Sequence, residues 1–108
     1  MEFKIEEISG IGPYKKQDLA EKIGRKNEQG QVYLAENGRA FLVTRAQTIE
    51  VRSDTNLCKD LKENYESVME SRYFGKGGIE IVKSGQIELE ELYDLVRLSY
   101  NLTKEMAD

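Results

Sequence analysis

The stretch Gln31-Val32-Tyr33-Leu34-Ala35-Glu36-Asn37-Gly38-Arg39-Ala40-Phe41-Leu42-Val43-Thr44 decides the fold. Two alternating runs, Gln31 to Glu36 and Arg39 to Thr44, flank Asn37-Gly38, the dipeptide that best tolerates the two positive φ values of a type I′ hairpin turn. A two-residue turn sets Glu36 against Arg39, Leu34 against Phe41 and Val32 against Val43. One face is then apolar and opposite charges close the turn. Gln47 to Arg52 reads as a third strand, with Ile49 and Val51 toward the core and Glu50 and Arg52 toward water.

Outward from this meander the period becomes helical. Asp54 is a good N-cap, because its carboxylate accepts the free N–H groups of a first turn. Leu57, Leu61, Tyr65 and Val68 then form one apolar stripe. Arg72 to Gly75 and Ile79 to Val82 read as short strands joined through Lys76-Gly77-Gly78. A last helix from Leu89 to Leu102 buries Leu92, Leu95, Val96, Ser99, Tyr100 and Leu102. Before the meander, Phe3, Ile5 and Ile8 fit either a short strand or an amphipathic turn, which Ser9-Gly10-Ile11-Gly12-Pro13 interrupts. Lys15 to Lys26 is expected to be a first helix, with Leu19, Ala20 and Ile23 at helical spacing and Gly24 near its end. The expected order is α-β-β-β-α-β-β-α: an α+β, two-layer domain with an antiparallel sheet and helices on one face. It covers 1–108 as a single domain, with 1–30 its least readable part.

The 108 residues are 39% hydrophobic and 33% charged, the composition of a globular domain with one core. No run approaches the roughly 20 apolar residues of a membrane span. The start, Met1 to Ile8, lacks the basic and apolar regions of a secretory signal, so the expected location is the cytoplasm. Cys58 is the only cysteine and is expected to be a packing residue. Histidine is absent, which removes the commonest general base and the commonest metal ligand. No nucleophile and base pair up by spacing. The expectation is a non-enzymatic protein with no metal or other cofactor.

The hairpin Gly38 to Thr44, the strand and cap Ile49 to Asp54, Leu61 and Tyr65, Tyr73 with Lys76, and Leu95 with Ser99 and Tyr100 together resemble the MmcQ/YjbR family of small bacterial domains. The resemblance covers about Gln31 to Thr103. It implies a YjbR-like fold and a DNA-binding role through a double-wing motif. The architecture is also similar to the N-terminal domain of TfoX-type regulators and to secretion-chaperone-like folds. In place of the family's Asn-Lys-Lys-His-Trp-like run, this chain has Phe74-Gly75-Lys76-Gly77-Gly78-Ile79.

On that resemblance the candidate nucleic-acid contacts are Arg39, Arg72, Tyr73, Lys76 and Lys83, at two hairpin tips near Asn37-Gly38 and Lys76-Gly77-Gly78. A flexible basic tip approaches phosphates, and an aromatic ring stacks on a base. Other clusters have plainer readings. Ser9 to Pro13, followed by Lys15 and Lys16, is similar to a phosphate-holding Gly-h-Gly turn before a helix, but also to an ordinary loop. Glu88, Glu90, Glu91 and Asp94 suit the positive end of a helix. Asn101-Leu102-Thr103 has the form of a glycosylation sequon but falls inside a helix. Net charge is −4 and the pI about 5.0, which is unusual for a free-standing nucleic-acid binder. Gln86 to Asp108 holds six acids and two bases, leaving the rest neutral and a local basic face on Arg39, Arg45, Lys76 and Lys83 open. The alternative is a protein- or peptide-binding adaptor, homodimeric in one version, using a sheet face or strand edge.

Overall fold

The computed structural model describes residues 2–106. After a 3-10 turn at Ile5–Glu7 come β1 (Lys15–Asp18), α1 (Leu19–Ile23), β2 (Gln31–Leu34), β3 (Ala40–Thr44) and β4 (Thr48–Arg52). Then follow α2 (Thr55–Asn64), β5 (Val68–Ser71), β6 (Gly75–Val82) and α3 (Leu89–Lys104). The six strands form one sheet in the order β1-β2-β3-β4-β6-β5, and every neighbouring pair is antiparallel. The α+β class and the antiparallel sheet read from the sequence are what the chain adopts.

Alternation along the strands sends side chains to two different cores. Tyr33, Phe41, Leu42, Ile49, Val51, Ile79 and Ile81 face the two long helices, α3 lying over β3 and β4 and α2 over β5 and β6. Leu19, Val32, Ala40 and Val43 form a smaller cluster on the other face, with Leu34, Tyr73 and Phe74 against it.

β3 places both Phe41 and Leu42 on the helix side because it carries a bulge. Tyr33 pairs with Leu42 and Leu34 with Ala40, so Phe41 is the extra residue. The fully buried Ser99 of α3 sits over this irregularity. Its hydroxyl accepts the Arg52 N–H at 2.8 Å and donates to the Phe41 carbonyl at 2.6 Å, bridging β3 and β4. Tyr100 beside it meets Phe41 edge-on, with ring centroids 4.9 Å apart.

Four local expectations are corrected. Lys15–Asp18 is an edge strand paired with β2, and the helix is only Leu19–Ile23. The expected helical face had little to bury, since Leu19 is inaccessible but Ile23 is 36% exposed. A polar, lysine-bearing segment instead suits a sheet edge. The β2–β3 turn has three residues rather than two. Ala35 N–H bonds to the Arg39 carbonyl and Gly38 N–H to the Ala35 carbonyl, so Ala35, not Glu36, faces Arg39. Only Gly38 has positive φ, at 82°, as a type I turn closed by one left-handed residue requires.

α2 ends at Asn64, one turn before the end of its stripe, because Tyr65 is extended. Leu57, Leu61, Tyr65 and Val68 all reach the main core, but Val68 does so from β5. The second hairpin is displaced as well. Its strands are Val68–Ser71 and Gly75–Val82, so its turn is Arg72-Tyr73-Phe74.

Candidate functional site

β3 begins, β4 ends, β5 ends and β6 begins at one end of the sheet, so the β2–β3 and β5–β6 turns lie at that same end. Of the five residues singled out in the sequence, Arg39, Arg72, Tyr73 and Lys76 belong to this end. Lys83 does not. It follows the far end of β6, where its N–H bonds to the Gln47 carbonyl, roughly 20 Å along the strand from Lys76.

Neither turn is a loose wing. Asn37 donates its amide to the Thr103 carbonyl at 2.8 Å and the Met106 carbonyl at 3.4 Å, pinning the first turn to the last carbonyls of α3. Lys76-Gly77-Gly78, expected as a flexible tip, is part of β6. Gly78 pairs with Arg52, and the Gly77 carbonyl accepts the Ser53 N–H. A Cβ at Gly78 would stand 2.5 Å from the Val51 carbonyl oxygen and 2.7 Å from Phe74 Cβ, so glycine is needed there for close approach. Phe74 uses that space. Its ring lies 4.8 Å from the Arg52 guanidinium and 5.0 Å from Tyr73, edge to face.

Arg52 also donates Nε–H to the Ala40 carbonyl at 2.7 Å, which ties the two turns together across β4. Partial burial and then the neighbouring Arg39 charge lower its pKa from the ordinary arginine value. Burial raises that of Tyr73, against the pull of Arg52.

The main correction at the site is Glu50, expected to face water and found fully buried. It stands opposite Glu80 of β6, which is 2% exposed. Glu50 accepts from Ser71 Oγ at 2.7 Å, from Tyr73 N–H at 2.8 Å and from Arg45 Nε. Glu80 accepts from Arg72 Nε and Nη2 at 2.9 and 2.6 Å and from Thr48 Oγ at 2.8 Å. Burial pushes the Glu80 pKa up, but the bonds from Arg72 and Thr48 with the Arg72 and Arg45 charges outweigh it and hold the carboxyl below its ordinary value. The same pair raises the Arg72 pKa. Arg45 extends the network to Glu28, 2.9 Å from its Nη1.

Sequence reasoning missed Arg45, Thr48, Glu50, Ser71 and Glu80 as a unit. Alternation puts Thr48, Glu50 and Arg52 on the face away from α2 and α3, which reads as solvated. The signal for burial is pairwise: Glu50 meets Glu80 only once the β4–β6 register is known.

The remaining candidates resolve structurally. Ser9 to Pro13 leads into a strand, not a helix, so the phosphate-holding turn it resembles is not formed. The segment is held on α3 by Arg97 Nε to the Ser9 carbonyl at 2.6 Å and by the Tyr100 hydroxyl to the Pro13 carbonyl at 3.3 Å. Glu88 is the N-cap residue of α3, and Glu90, Glu91 and Asp94 follow on its first two turns. Cys58 is buried. Among the described residues no group of three or more carboxylates and thiolates is placed to hold a metal ion, and no helix is long and apolar enough to cross a membrane.

No protein-family model, curated protein or solved structure matches the chain.

Proposed function

We propose that this chain is a non-enzymatic binding module of MmcQ/YjbR type that contacts nucleic-acid phosphates with the end of the sheet bearing the two hairpin turns. The observation that carries the reading is that Arg39, Arg52, Arg72 and Lys76 all lie on turns and strand ends at this end of the sheet, where Arg52 bonds the Ala40 carbonyl and sits over the Phe74 ring. Fixed arginines position a phosphate backbone, and aromatic rings beside them accept an exposed base. With a net charge of −4, attraction at long range is weak, so binding is modest and strongly salt-dependent. Fluorescence anisotropy with labelled duplex DNA at low and at moderate salt tests this. Absence of binding at low salt overturns it.

A second reading, an adaptor or homodimer, is favoured by one observation. Leu98, Leu102 and Met106 recur at i, i+4 and i+8 on the outer side of α3 and the turn after it, 49%, 43% and 37% exposed. Light scattering decides between the readings: a stable dimer that does not bind DNA supports the second.

A further inference from the structure

Between the loop after α1 and the β5–β6 turn, the sheet face away from α2 and α3 carries a cleft lined by Ile23, Arg25, Glu28, Arg45, Arg72 and Tyr73. Its volume is about 410 Å³, in the range of small-ligand sites. Two of its arginines are held from beneath. Arg72 gives Nε and Nη2 to Glu80, and Arg45 gives Nε to Glu50 and Nη1 to Glu28. Arg72 Nη1 and Arg45 Nη2 make no hydrogen bond to any described residue.

We propose that this cleft is a binding site for a phosphomonoester of nucleotide size, its phosphate held by Arg25, Arg45 and Arg72 and its aromatic base laid on Tyr73. The inference goes beyond the wing reading and stands without it, since it needs neither a duplex nor Lys76.

The buried carboxylates explain why the arginines are suited to this. A guanidinium on a flexible stem loses rotamer freedom when it grips an anion, and here Glu50 and Glu80 have already fixed two of them. Three guanidiniums from three separate segments offer more donors than a single carboxylate ligand has oxygens, which suits a tetrahedral phosphate. The charges also name the competitor. Glu50 and Glu80 do not line the cleft, while Glu28, with its side chain 30% exposed, is the one acid that does, and it bonds Arg45 there. Glu28 is therefore where an incoming phosphate meets repulsion, and it competes for Arg45.

That arrangement gives opposite signs to two substitutions: Arg25→Gln changes an exposed side chain, and Glu28→Gln loosens one bond to Arg45 while leaving the Arg45–Glu50 pair in place. The full chain, labelled with ¹⁵N, is titrated with inorganic phosphate, with adenosine 5′-monophosphate and with adenosine, and amide shifts are followed. The expected result is saturable shifts confined to the segments around Arg25, Arg45 and Arg72, with the nucleotide binding more tightly than inorganic phosphate. Arg25→Gln weakens both phosphate ligands by about fivefold, and Glu28→Gln strengthens both by a similar factor. Tyr73→Leu weakens the nucleotide by at least about fivefold but leaves inorganic phosphate unchanged.

No saturable shift with either phosphate ligand overturns the inference, as does a Glu28→Gln variant that binds no more tightly than the parent. Equal affinity for adenosine and its monophosphate also overturns it, because the arginines would then contribute nothing. The free nucleotide and the 5′-phosphate end of a strand are separated by repeating the titration with a 5′-phosphorylated dinucleotide. Duplex binding without phosphate shifts in the cleft sinks this inference and leaves the wing reading standing. Phosphate binding without duplex binding does the reverse.

Discussion

Glu50 on β4 and Glu80 on β6 stand directly opposite each other at 0% and 2% exposure, and each is gripped by a different arginine, Arg45 and Arg72. Like charges placed opposite on neighbouring strands repel, and a buried carboxylate without partners is costly. The pair is tolerated because both carboxylates are saturated with donors, including the Thr48 and Ser71 hydroxyls. This network fixes the β5–β6 turn against the face of the sheet.

Acid should therefore loosen that turn. The Glu80 pKa is held below its ordinary value of 4.5, so the stabilisation is present above the unfolded pKa and is lost as pH falls through the folded one. Urea midpoints should be flat from neutral pH down to about 5 and drop below about 4.5. In Glu80→Gln the acid drop should be shallower, and stability at neutral pH lower by about 1–3 kcal/mol. Most of that loss reflects the buried acceptor, since Arg72, with its side chain 60% exposed, regains water. Equal acid slopes in parent and variant would show that Glu80 does not set the transition.

Ser99 should be more important to stability than a lone hydroxyl usually is. Ser99→Ala leaves the Arg52 N–H and the Phe41 carbonyl without their shared partner under a buried helix. The expected cost is about 1–3 kcal/mol in urea unfolding, with faster hydrogen exchange at the Arg52 amide. If that amide exchanges at the parent rate, the bridge between the strands is not holding it.

How far the sequence discloses this depends on the range of the interaction. The third strand, the Asp54 cap and the start of α3 are periodic or local and appear where the pattern puts them. The cap bond, Leu57 N–H to Asp54 Oδ1 at 2.9 Å, is an example. Leu34, by contrast, meets Ala40 rather than Phe41, and Leu102, expected in the buried stripe of α3, is 43% exposed. Lys15–Asp18 is different, because it becomes a strand only by pairing with β2 and carries no apolar alternation of its own. Gly77-Gly78 reads as a flexible tip, yet Gly78 serves close packing against Val51 and Phe74, partners only the fold reveals. At the candidate site Arg72 and Tyr73 are legible as a basic and an aromatic candidate, but as strand residues rather than the turn residues they are. Arg45, Glu50 and Glu80 are not, since their meaning lies in a register between strands about 30 residues apart in sequence.

The contact between Asn37 and α3 predicts that the first turn and the helix end melt together. Asn37→Ala removes the amide that satisfies the Thr103 and Met106 carbonyls, and with it the Oδ1 acceptor of the Arg39 N–H. About 1 kcal/mol of stability should be lost, with exchange protection falling at both Gly38 and the last turn of α3. Loss confined to one of the two segments would show that they are uncoupled.

The two lysines at opposite ends of β6 give the nucleic-acid reading its sharpest test. Lys76 is exposed at the end where Arg39, Arg52 and Arg72 gather, whereas Lys83 follows the far end, close to Phe3, Glu6 and Thr44. Both substitutions to glutamine change the net charge equally, so a non-specific electrostatic effect would weaken duplex binding equally in the two variants. Binding through the turn-bearing end instead predicts that Lys76→Gln weakens it and lowers the slope of log K against log salt by roughly 0.9, one phosphate contact, while Lys83→Gln leaves both unchanged. Anisotropy titrations across a salt series measure both quantities. Equal losses in the two variants would remove the assignment of DNA contacts to that end of the sheet.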